Sequence, residues 1–320
     1  MPLITVSTYK HPFYLFNGHI ETIVPSAFRQ VDVKYRRERL ELQDGDFLDL
    51  DWLKKGSKKL VIISHGLEGS SERHYSMGMA KYFSEREWDA VAWNCRSCSG
   101  EMNRLPRFYH HGATEDLKAV IERAKGFGYS CIALVGISMG GSLSLKYTGE
   151  NVDNLPSQLK GVVAFSVPCH LGSSARELDK PGKRFYLNRF LKKLEKKIKA
   201  KSLLFPGIIS SDRFDQIRSF EEFDNRYTAP LHGFRDAADF YERASSLPHL
   251  SKIRIPALIV NALNDPFLPK ECFPYDIAER SEFVFLETPR RGGHTGFTLA
   301  GKMENWMEVR AFEFLNEVCG

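Results

Sequence analysis

Six short apolar runs, separated by longer amphipathic stretches, constrain the fold of this chain more than any other feature of its sequence. Each run is rich in aliphatic or β-branched residues and is bounded by turn-forming or polar residues, as is typical of strands buried on both faces of a parallel sheet. Helix-like segments lie between the runs, so the alternation predicts an α/β fold with a doubly wound, mostly parallel central sheet. The predicted strands are residues 60–64, 90–93, 132–135, 162–167, 257–262 and 283–286, and the predicted helices are residues 75–86, 114–125 and 138–148.

Two further segments complete the predicted architecture. Residues 33–53 alternate polar and apolar side chains around Asp44-Gly45, a dipeptide that suits a tight turn, so we expect an N-terminal antiparallel hairpin. Residues 170–246 interrupt the strand–helix alternation and contain an amphipathic basic segment, 184–201, which predicts a helical cap insertion. We therefore expect residues 1–320 to form a single domain, with the cap over the sheet edge where such sheets bind ligands.

A candidate nucleophile lies at the end of the third run. Residues 136–140 read Gly-Ile-Ser-Met-Gly, which matches the pattern G-x-S-x-G and occurs once. A strand is predicted directly before Ser138 and a helix directly after it, which is the setting of a nucleophile elbow. The flanking glycines leave room for the sharp turn that exposes the hydroxyl. An ordinary strand-to-helix turn with a structural serine is the alternative.

An acid and a base follow Ser138 in the chain order that such a site requires. Asp265 comes just past the apolar run 257–262, and His294 lies in a loop with glycines on both sides. A serine hydroxyl needs a base to take its proton, and a carboxylate at Asp265 would orient the imidazole and stabilise its cation. His249 precedes the acid and Asp276 falls in a helix-like segment, so both are weaker candidates.

Two backbone amides are candidates for an oxyanion hole, which needs two donors near the nucleophile. One is the amide of Met139, the residue directly after Ser138. The other is the amide of Leu67, in the glycine-rich segment that follows the run 60–64. For Leu67 the alternative is a glycine-rich turn with no part in catalysis.

Composition and charge limit the other functions open to the chain. The net charge of +5 on 320 residues is modest, so we expect no nucleic-acid partner. No run approaches the roughly 20 apolar residues that span a bilayer, and the N-terminus does not read as a signal peptide, so we expect a cytoplasmic protein without a transmembrane segment. No metal-ligand or dinucleotide-binding pattern occurs, so we expect no metal and no cofactor.

The six cysteines form neither a dense nor a paired framework, so we expect free thiols in a reducing compartment. Cys95 and Cys98 have the spacing C-x-x-C, but no second pair of metal ligands accompanies them. We interpret this pair as structural.

The basic segment at residues 183–201 permits two interpretations. Its lysines and arginines lie beside a stripe of leucines, which suits a helix that contacts an anionic membrane surface. A cap helix whose charged face is solvated explains the same pattern, and we favour it over peripheral membrane contact.

Several motifs, taken in order, resemble the YheT-like branch of the α/β-hydrolases, also called the AB hydrolase 4 family. The resemblance extends from about Asn17 to Phe297. Three positions depart from the family pattern: Ser97 replaces a usual glycine, Glu21 a frequent glutamine, and Asn264 the first of two adjacent aspartates. The motifs are residues 17–23 (Asn-Gly-His-Ile-Glu-Thr-Ile), 64–71 (Ser-His-Gly-Leu-Glu-Gly-Ser-Ser), 75 (Tyr), 78–80 (Gly-Met-Ala), 94–96 (Asn-Cys-Arg) and 111–116 (His-Gly-Ala-Thr-Glu-Asp).

The resemblance implies an α/β-hydrolase core with a helical cap, and esterase, lipase or acyl-transfer activity through Ser138, Asp265 and His294. We therefore expect a carboxylic ester hydrolase that cleaves small-molecule acyl esters through an acyl-enzyme intermediate. An acyltransferase that passes the acyl group to an alcohol is one alternative, because it shares the first half-reaction. A non-catalytic binding protein of the same fold is the other.

Overall fold

A nine-stranded sheet forms the centre of the structure, a computed structural model that describes residues 3–320. Its strands are β1 (Leu3–Ile4), β2 (Arg36–Glu41), β3 (Phe47–Leu53), β4 (Lys59–Ser64), β5 (Asp89–Asn94), β6 (Cys131–Ile137), β7 (Leu159–Phe165), β8 (Ala257–Val260) and β9 (Val284–Glu287). Their order across the sheet is β1-β9-β8-β7-β6-β4-β5-β3-β2. Only β2 with β3 and β3 with β5 pair antiparallel. The predicted α/β class, with a mostly parallel sheet and an N-terminal hairpin, is confirmed.

Helices cover both faces of this sheet. Those outside the β7–β8 connection are α1 (Gly18–Phe28), α2 (His74–Ser84), α3 (Thr114–Lys125), α4 (Met139–Glu150), α10 (Tyr275–Arg280) and α11 (Trp306–Val318). Side chains of α2 and α11 pack in one buried apolar cluster, whereas those of α3, α4 and α10 pack in another. Helices α1 and α11 and the short strand β1 were not predicted from the sequence.

The two clusters explain why the central strands are apolar at every position. In β4, Leu60 and Ile62 belong to one cluster, whereas Val61 and Ile63 belong to the other. Successive side chains of a strand point to opposite faces, so a strand covered on both faces shows no polar alternation. All four of these side chains are fully buried.

The connection between β7 and β8 is entirely helical and irregular. It contains α5 (Leu171–Leu178), α6 (Arg184–Leu204), α7 (Phe220–Phe223), α8 (Ala229–His232) and α9 (Ala237–Ala244), with a π-helical turn at Asp224–Thr228. The leucine stripe of α6, including Leu187, Leu191 and Leu194, is buried in an apolar cluster with side chains from α5 and α7. These helices lie within the segment 170–246, where the sequence predicted a cap.

The parallel strands β4, β6, β8 and β9 all end at the same edge of the sheet, because parallel strands share their direction. Leu67 follows β4, Ser138 follows β6, Asp265 follows β8 and His294 follows β9. The topology therefore brings together four residues that are up to 227 positions apart in sequence.

The expectation that all six cysteines are free thiols is wrong for two of them. Cys131, at the start of β6, and Cys319, just after α11, form a disulfide with their Cα atoms 6.0 Å apart. Cys95, Cys98, Cys169 and Cys272 are free and buried. The pairing was not visible in sequence because 188 residues separate the two cysteines and only the packing of α11 against β7 brings them together.

Within residues 3–320, none of the helices combines the length and the apolar character that crossing a bilayer demands. The same part of the chain contains no group of three or more histidine, cysteine, aspartate or glutamate side chains arranged to hold a metal ion.

Candidate active site

Ser138 occupies the tight turn between β6 and α4. Its backbone adopts φ 55° and ψ −116°, a conformation that is costly for a residue with a side chain. Both nearby glycines are sterically required, because a Cβ on Gly136 would lie 2.3 Å from the carbonyl oxygen of Gly140, and one on Gly140 would lie 2.1 Å from that of Ser64. The Ser138 amide donates to the Phe165 carbonyl at 2.8 Å, which ties the turn to β7.

The structure brings Ser138, His294 and Asp265 into one hydrogen-bonded chain. His294 Nε2 lies 3.0 Å from Ser138 Oγ, and His294 Nδ1 lies 2.8 Å from Asp265 Oδ2. Asp265 is 5% exposed and His294 is 8% exposed. With Nδ1 carrying a proton toward the carboxylate, Nε2 is left to accept the serine proton. The other two sequence candidates are elsewhere: His249 lies in a 3₁₀ turn and Asp276 is exposed on α10.

Phe267 contacts both Asp265 and His294. Its ring stacks on the imidazole of His294, with centroids 4.0 Å apart and an angle of 15° between the planes. Its amide donates to Asp265 Oδ1 at 2.8 Å. A carboxylate that accepts this amide and the imidazole has its orientation fixed before substrate arrives. Phe267 was not predicted from the sequence as a site residue, although it lies two residues after the candidate acid.

Helix α1 fixes the loop that carries His294. The Thr22 hydroxyl accepts a hydrogen bond from the His294 amide at 2.8 Å and donates to the Gly18 carbonyl at 2.6 Å. The buried Glu21 carboxylate accepts from the Gly292 amide at 3.1 Å. Residues of the motif at 17–23, which carries part of the family resemblance, therefore hold the His294 loop in place.

Glu21 also joins the histidine loop to the aspartate loop. Asn264 Nδ2 donates to Glu21 Oε2 at 2.5 Å, while Asn264 Oδ1 accepts from the Gly293 amide at 3.1 Å. Asn264 directly precedes Asp265, and Gly293 directly precedes His294. The side chains of Glu21 and Asn264 therefore set the spacing of the two loops that present the acid and the base.

The two predicted oxyanion donors lie beside Ser138. Met139 is the first residue of α4, where a helix leaves its amides without internal acceptors. The loop of Leu67 passes close by, because a Cβ on Gly66 would lie 3.3 Å from Ser138 Cβ. Across residues 3–320, no protein group accepts a hydrogen bond from either amide. Neither amide is therefore committed to an acceptor within the described residues.

A cavity opens above Ser138 and His294, under the helices that connect β7 to β8. Most of its wall is aliphatic or aromatic, including Leu171 of α5, Leu194 and Ile198 of α6, and Phe223 of α7. Such a wall fits an apolar ligand chain, since apolar surface gains free energy when it leaves water.

The same cavity has a polar region in the π-helical turn. Asp224 accepts hydrogen bonds from the hydroxyls of Thr228 at 2.5 Å and Tyr241 at 2.7 Å. Burial raises the pKa of Asp224 from its ordinary value of 3.8 to about 7, although these two hydrogen bonds oppose the shift. Burial also lowers the pKa of His111, which lines the cavity, to about 4. Sequence reasoning missed both groups, because only the packed helices bury them.

Comparison with known proteins places these features in a family. The family model for the alpha/beta hydrolase fold matches residues 59–299. The chain is 33% identical to "Putative esterase YheT" of Escherichia coli (strain K12), over 93% of this chain and 90% of that protein. It is 29% identical to "Phospholipase ABHD3" of Homo sapiens, over 92% of this chain and 75% of that protein.

Among solved structures, the esterase Pf2001 of Pyrococcus furiosus matches with a TM-score of 0.60 at 16% identity, over 90% of this chain and 91% of that one, which shows a shared fold. The family model covers most of the chain, and the sequence similarity to YheT extends over nearly all of it. This protein therefore belongs to the α/β-hydrolase family, in its YheT-like branch.

Proposed function

We propose that this chain is a serine hydrolase that cleaves carboxylic acyl esters through an acyl-enzyme intermediate. One observation carries the proposal: His294 lies 3.0 Å from Ser138 Oγ on one side and 2.8 Å from Asp265 on the other. This arrangement of hydroxyl, imidazole and buried carboxylate can activate a serine at neutral pH. The names of YheT and ABHD3 describe an esterase and a phospholipase, and both support hydrolysis.

In the first half-reaction, Ser138 Oγ attacks the ester carbonyl carbon while His294 Nε2 takes its proton. The carbonyl oxygen becomes an oxyanion, which the amides of Leu67 and Met139 stabilise by hydrogen bonds. His294 then returns the proton to the departing alkoxide, so the alcohol leaves and the acyl group stays on Ser138. Asp265 stabilises the imidazolium without taking its proton.

In the second half-reaction, water replaces the alcohol. His294 Nε2 takes a proton from the water, and the resulting hydroxide attacks the acyl carbonyl carbon. The tetrahedral intermediate forms at the same two amides, and its collapse breaks the bond from the acyl carbon to Ser138 Oγ. His294 Nε2 returns the proton to Ser138 Oγ as the carboxylic acid leaves. The apolar wall of the cavity, which includes Leu194 and Phe223, supports an acyl ester with a hydrocarbon chain as the substrate class.

The proposal is tested with 4-nitrophenyl acyl esters. The wild-type protein should release nitrophenol, and Ser138→Ala should abolish turnover above background. Ser142→Ala is the matched control, because Ser142 is buried in α4 and its hydroxyl has no hydrogen-bond partner in the described chain. Equal turnover by the wild type and Ser138→Ala would refute the proposal.

A further inference from the structure

Two lysines of α6 point into the protein and contact the loop that carries Leu67. Lys193 Nζ donates to the carbonyl oxygen of Glu68 at 3.0 Å. Lys197, one helical turn later, donates to Glu68 Oε1 at 2.8 Å. The sequence interpretations of this basic segment assigned its charges to solvent or to a membrane surface. For Lys193 and Lys197 neither interpretation holds, because both side chains donate hydrogen bonds to Glu68, the residue directly after Leu67.

Further along α6, Lys201 is fully buried and donates to the carbonyl oxygens of Asn103 and Leu105. Three lysines spaced four residues apart therefore lie along one inward side of the helix, as helical periodicity dictates. By contrast, Lys192 and Lys196 on the other side are exposed. The inward lysines attach α6 to the loops at the edge of the sheet.

Glu68 is fixed at every polar group that it has. Its amide donates to the Tyr109 hydroxyl at 2.8 Å, and that hydroxyl donates back to Glu68 Oε1 at 2.6 Å. Its carbonyl and its carboxylate accept from the two lysines. Its backbone has φ 53°, in the left-handed region that a residue with a side chain rarely adopts. A conformation of this kind persists only where surrounding contacts impose it.

The ion pair between Glu68 and Lys197 is mostly withdrawn from water, with the two side chains 4% and 16% exposed. Burial would lower the pKa of Lys197, but the neighbouring Cys98 sulfur and Glu68 carboxylate outweigh it and raise that pKa above its ordinary value. Lys197 therefore carries its charge at neutral pH. A buried ion pair of this kind is weak grounds for a stabilising role, because removing two charges from water offsets much of their attraction.

We propose that Lys197, with Lys193, is a positioning residue for the oxyanion hole: α6 holds Glu68 in its left-handed conformation and thereby aims the Leu67 amide at the ester oxygen. This inference rests on the proposed ester hydrolysis. An oxyanion donor is effective only if it is oriented before the charge develops, so a donor on a loop needs a rigid support. The support comes from the same helix whose Leu194 and Ile198 line the cavity.

The test compares Lys197→Met with Lys196→Met, which removes an exposed lysine from the same helix. Lys197→Met should lower kcat by about 10- to 100-fold and leave KM within about twofold, because the lost interaction acts on the transition state. Its affinity for a trifluoromethyl ketone, which forms an oxyanion when it adds to Ser138, should fall by a similar factor. Lys197→Arg should recover most of the activity, since arginine can also donate to Glu68. Lys196→Met should behave as wild type.

Three outcomes would overturn the inference: unchanged kcat in Lys197→Met, an equal loss in Lys196→Met, or a loss confined to KM. If Lys197→Met fails to fold because Glu68 is left unpaired, Lys193→Met serves instead, since Lys193 contacts only the carbonyl. Lys193→Met should lower kcat by about 3- to 10-fold, and its affinity for the trifluoromethyl ketone should fall by a similar factor. An unchanged kcat in Lys193→Met would also refute the inference. Equal ester hydrolysis by the wild type and Ser138→Ala would refute the proposed function itself. Hydrolysis that requires Ser138 but neither Lys197 nor Lys193 would refute only the positioning role.

Discussion

The side-chain amide of Asn264 donates a hydrogen bond to the carboxylate of Glu21 at 2.5 Å, although 243 residues separate them. Both positions depart from the family pattern, which often has glutamine at the first and commonly aspartate at the second. In this chain the carboxylate is on residue 21 and the amide is on residue 264, so relative to the pattern that the resemblance implies the two groups are exchanged across one hydrogen bond. This contact joins α1, the loop of Asp265 and the loop of His294, so it bears on the geometry of the whole site.

The exchange predicts strong coupling between the two positions. Asn264→Asp alone should lower kcat/KM by about 10-fold or more, because two carboxylates would face each other in a buried site. Glu21→Gln alone should have a small effect, because its amide oxygen still accepts from Asn264. The double variant should recover part of the activity, since a glutamine amide then donates to an aspartate but no longer accepts from the Gly292 amide. Steady-state kinetics on all four proteins measures this coupling, and additive effects would contradict it.

Asp265 is expected to act through the imidazole. Asp265→Asn should lower kcat by roughly 10⁴-fold with little change in KM, because an amide nitrogen facing Nδ1 favours the tautomer whose Nε2 cannot accept the serine proton. Asp276→Asn is the control, since Asp276 is an exposed aspartate on α10 and its substitution makes the same chemical change outside the candidate site. A residual kcat within tenfold of wild type in Asp265→Asn would show that another group orients His294.

The cavity wall should set the preferred chain length. Ala175 lies on α5, lines the cavity and is half-buried, so Ala175→Phe would fill space without overpacking the core. Each methylene that loses its burial costs about 0.8 kcal/mol, roughly fourfold in kcat/KM. The variant should therefore lose octanoyl ester activity while it keeps acetyl ester activity. Arg176→Phe is the control, because it places the same ring at the adjacent exposed position, and it should leave the ratio of octanoyl to acetyl ester activity unchanged. An unchanged ratio in Ala175→Phe would show that this part of the cavity wall does not contact the acyl chain.

Asp224 should make stability depend on pH. The folded protein keeps a proton on this buried carboxyl up to about pH 7, whereas the unfolded chain releases it near the ordinary pKa of 3.8. The folded state thus binds more protons between these values, so this group lowers the free energy of unfolding as pH rises through the window. Asp224→Asn cannot titrate. The difference in unfolding free energy, wild type minus variant, should therefore decrease from pH 5 to pH 8 in urea titrations, and a constant difference would contradict the assignment.

The sequence predicted those parts of the protein that depend on local patterns. Apolar runs such as residues 60–64 became strands, and the pattern around Ser138 became a strand–turn–helix because its glycines and its neighbours dictate it. The chain order of Asp265 and His294 identified the partners of Ser138 that the structure brings within hydrogen-bond distance.

Other features depend on contacts between distant segments, which periodicity does not encode. The Cys131–Cys319 disulfide, the contact of Lys197 with Glu68 and the contact of α1 with the histidine loop each join residues more than 100 positions apart. Burial alone raises the pKa of Asp224. That burial depends on how the surrounding helices pack, which local sequence patterns do not specify. The pattern of an amphipathic helix predicts that its charged residues are solvated, because the pattern does not reveal a buried partner elsewhere in the chain.

In the proposed reaction Ser138 is the nucleophile and His294 activates it. Mass spectrometry of the intact protein and of its peptides after treatment with a fluorophosphonate measures this directly. We predict a single adduct on Ser138 in the wild type, none in Ser138→Ala, and labelling at least 100-fold slower in His294→Ala. An adduct on another residue, or unlabelled Ser138 in a protein that still hydrolyses esters, would show that Ser138 is not the nucleophile.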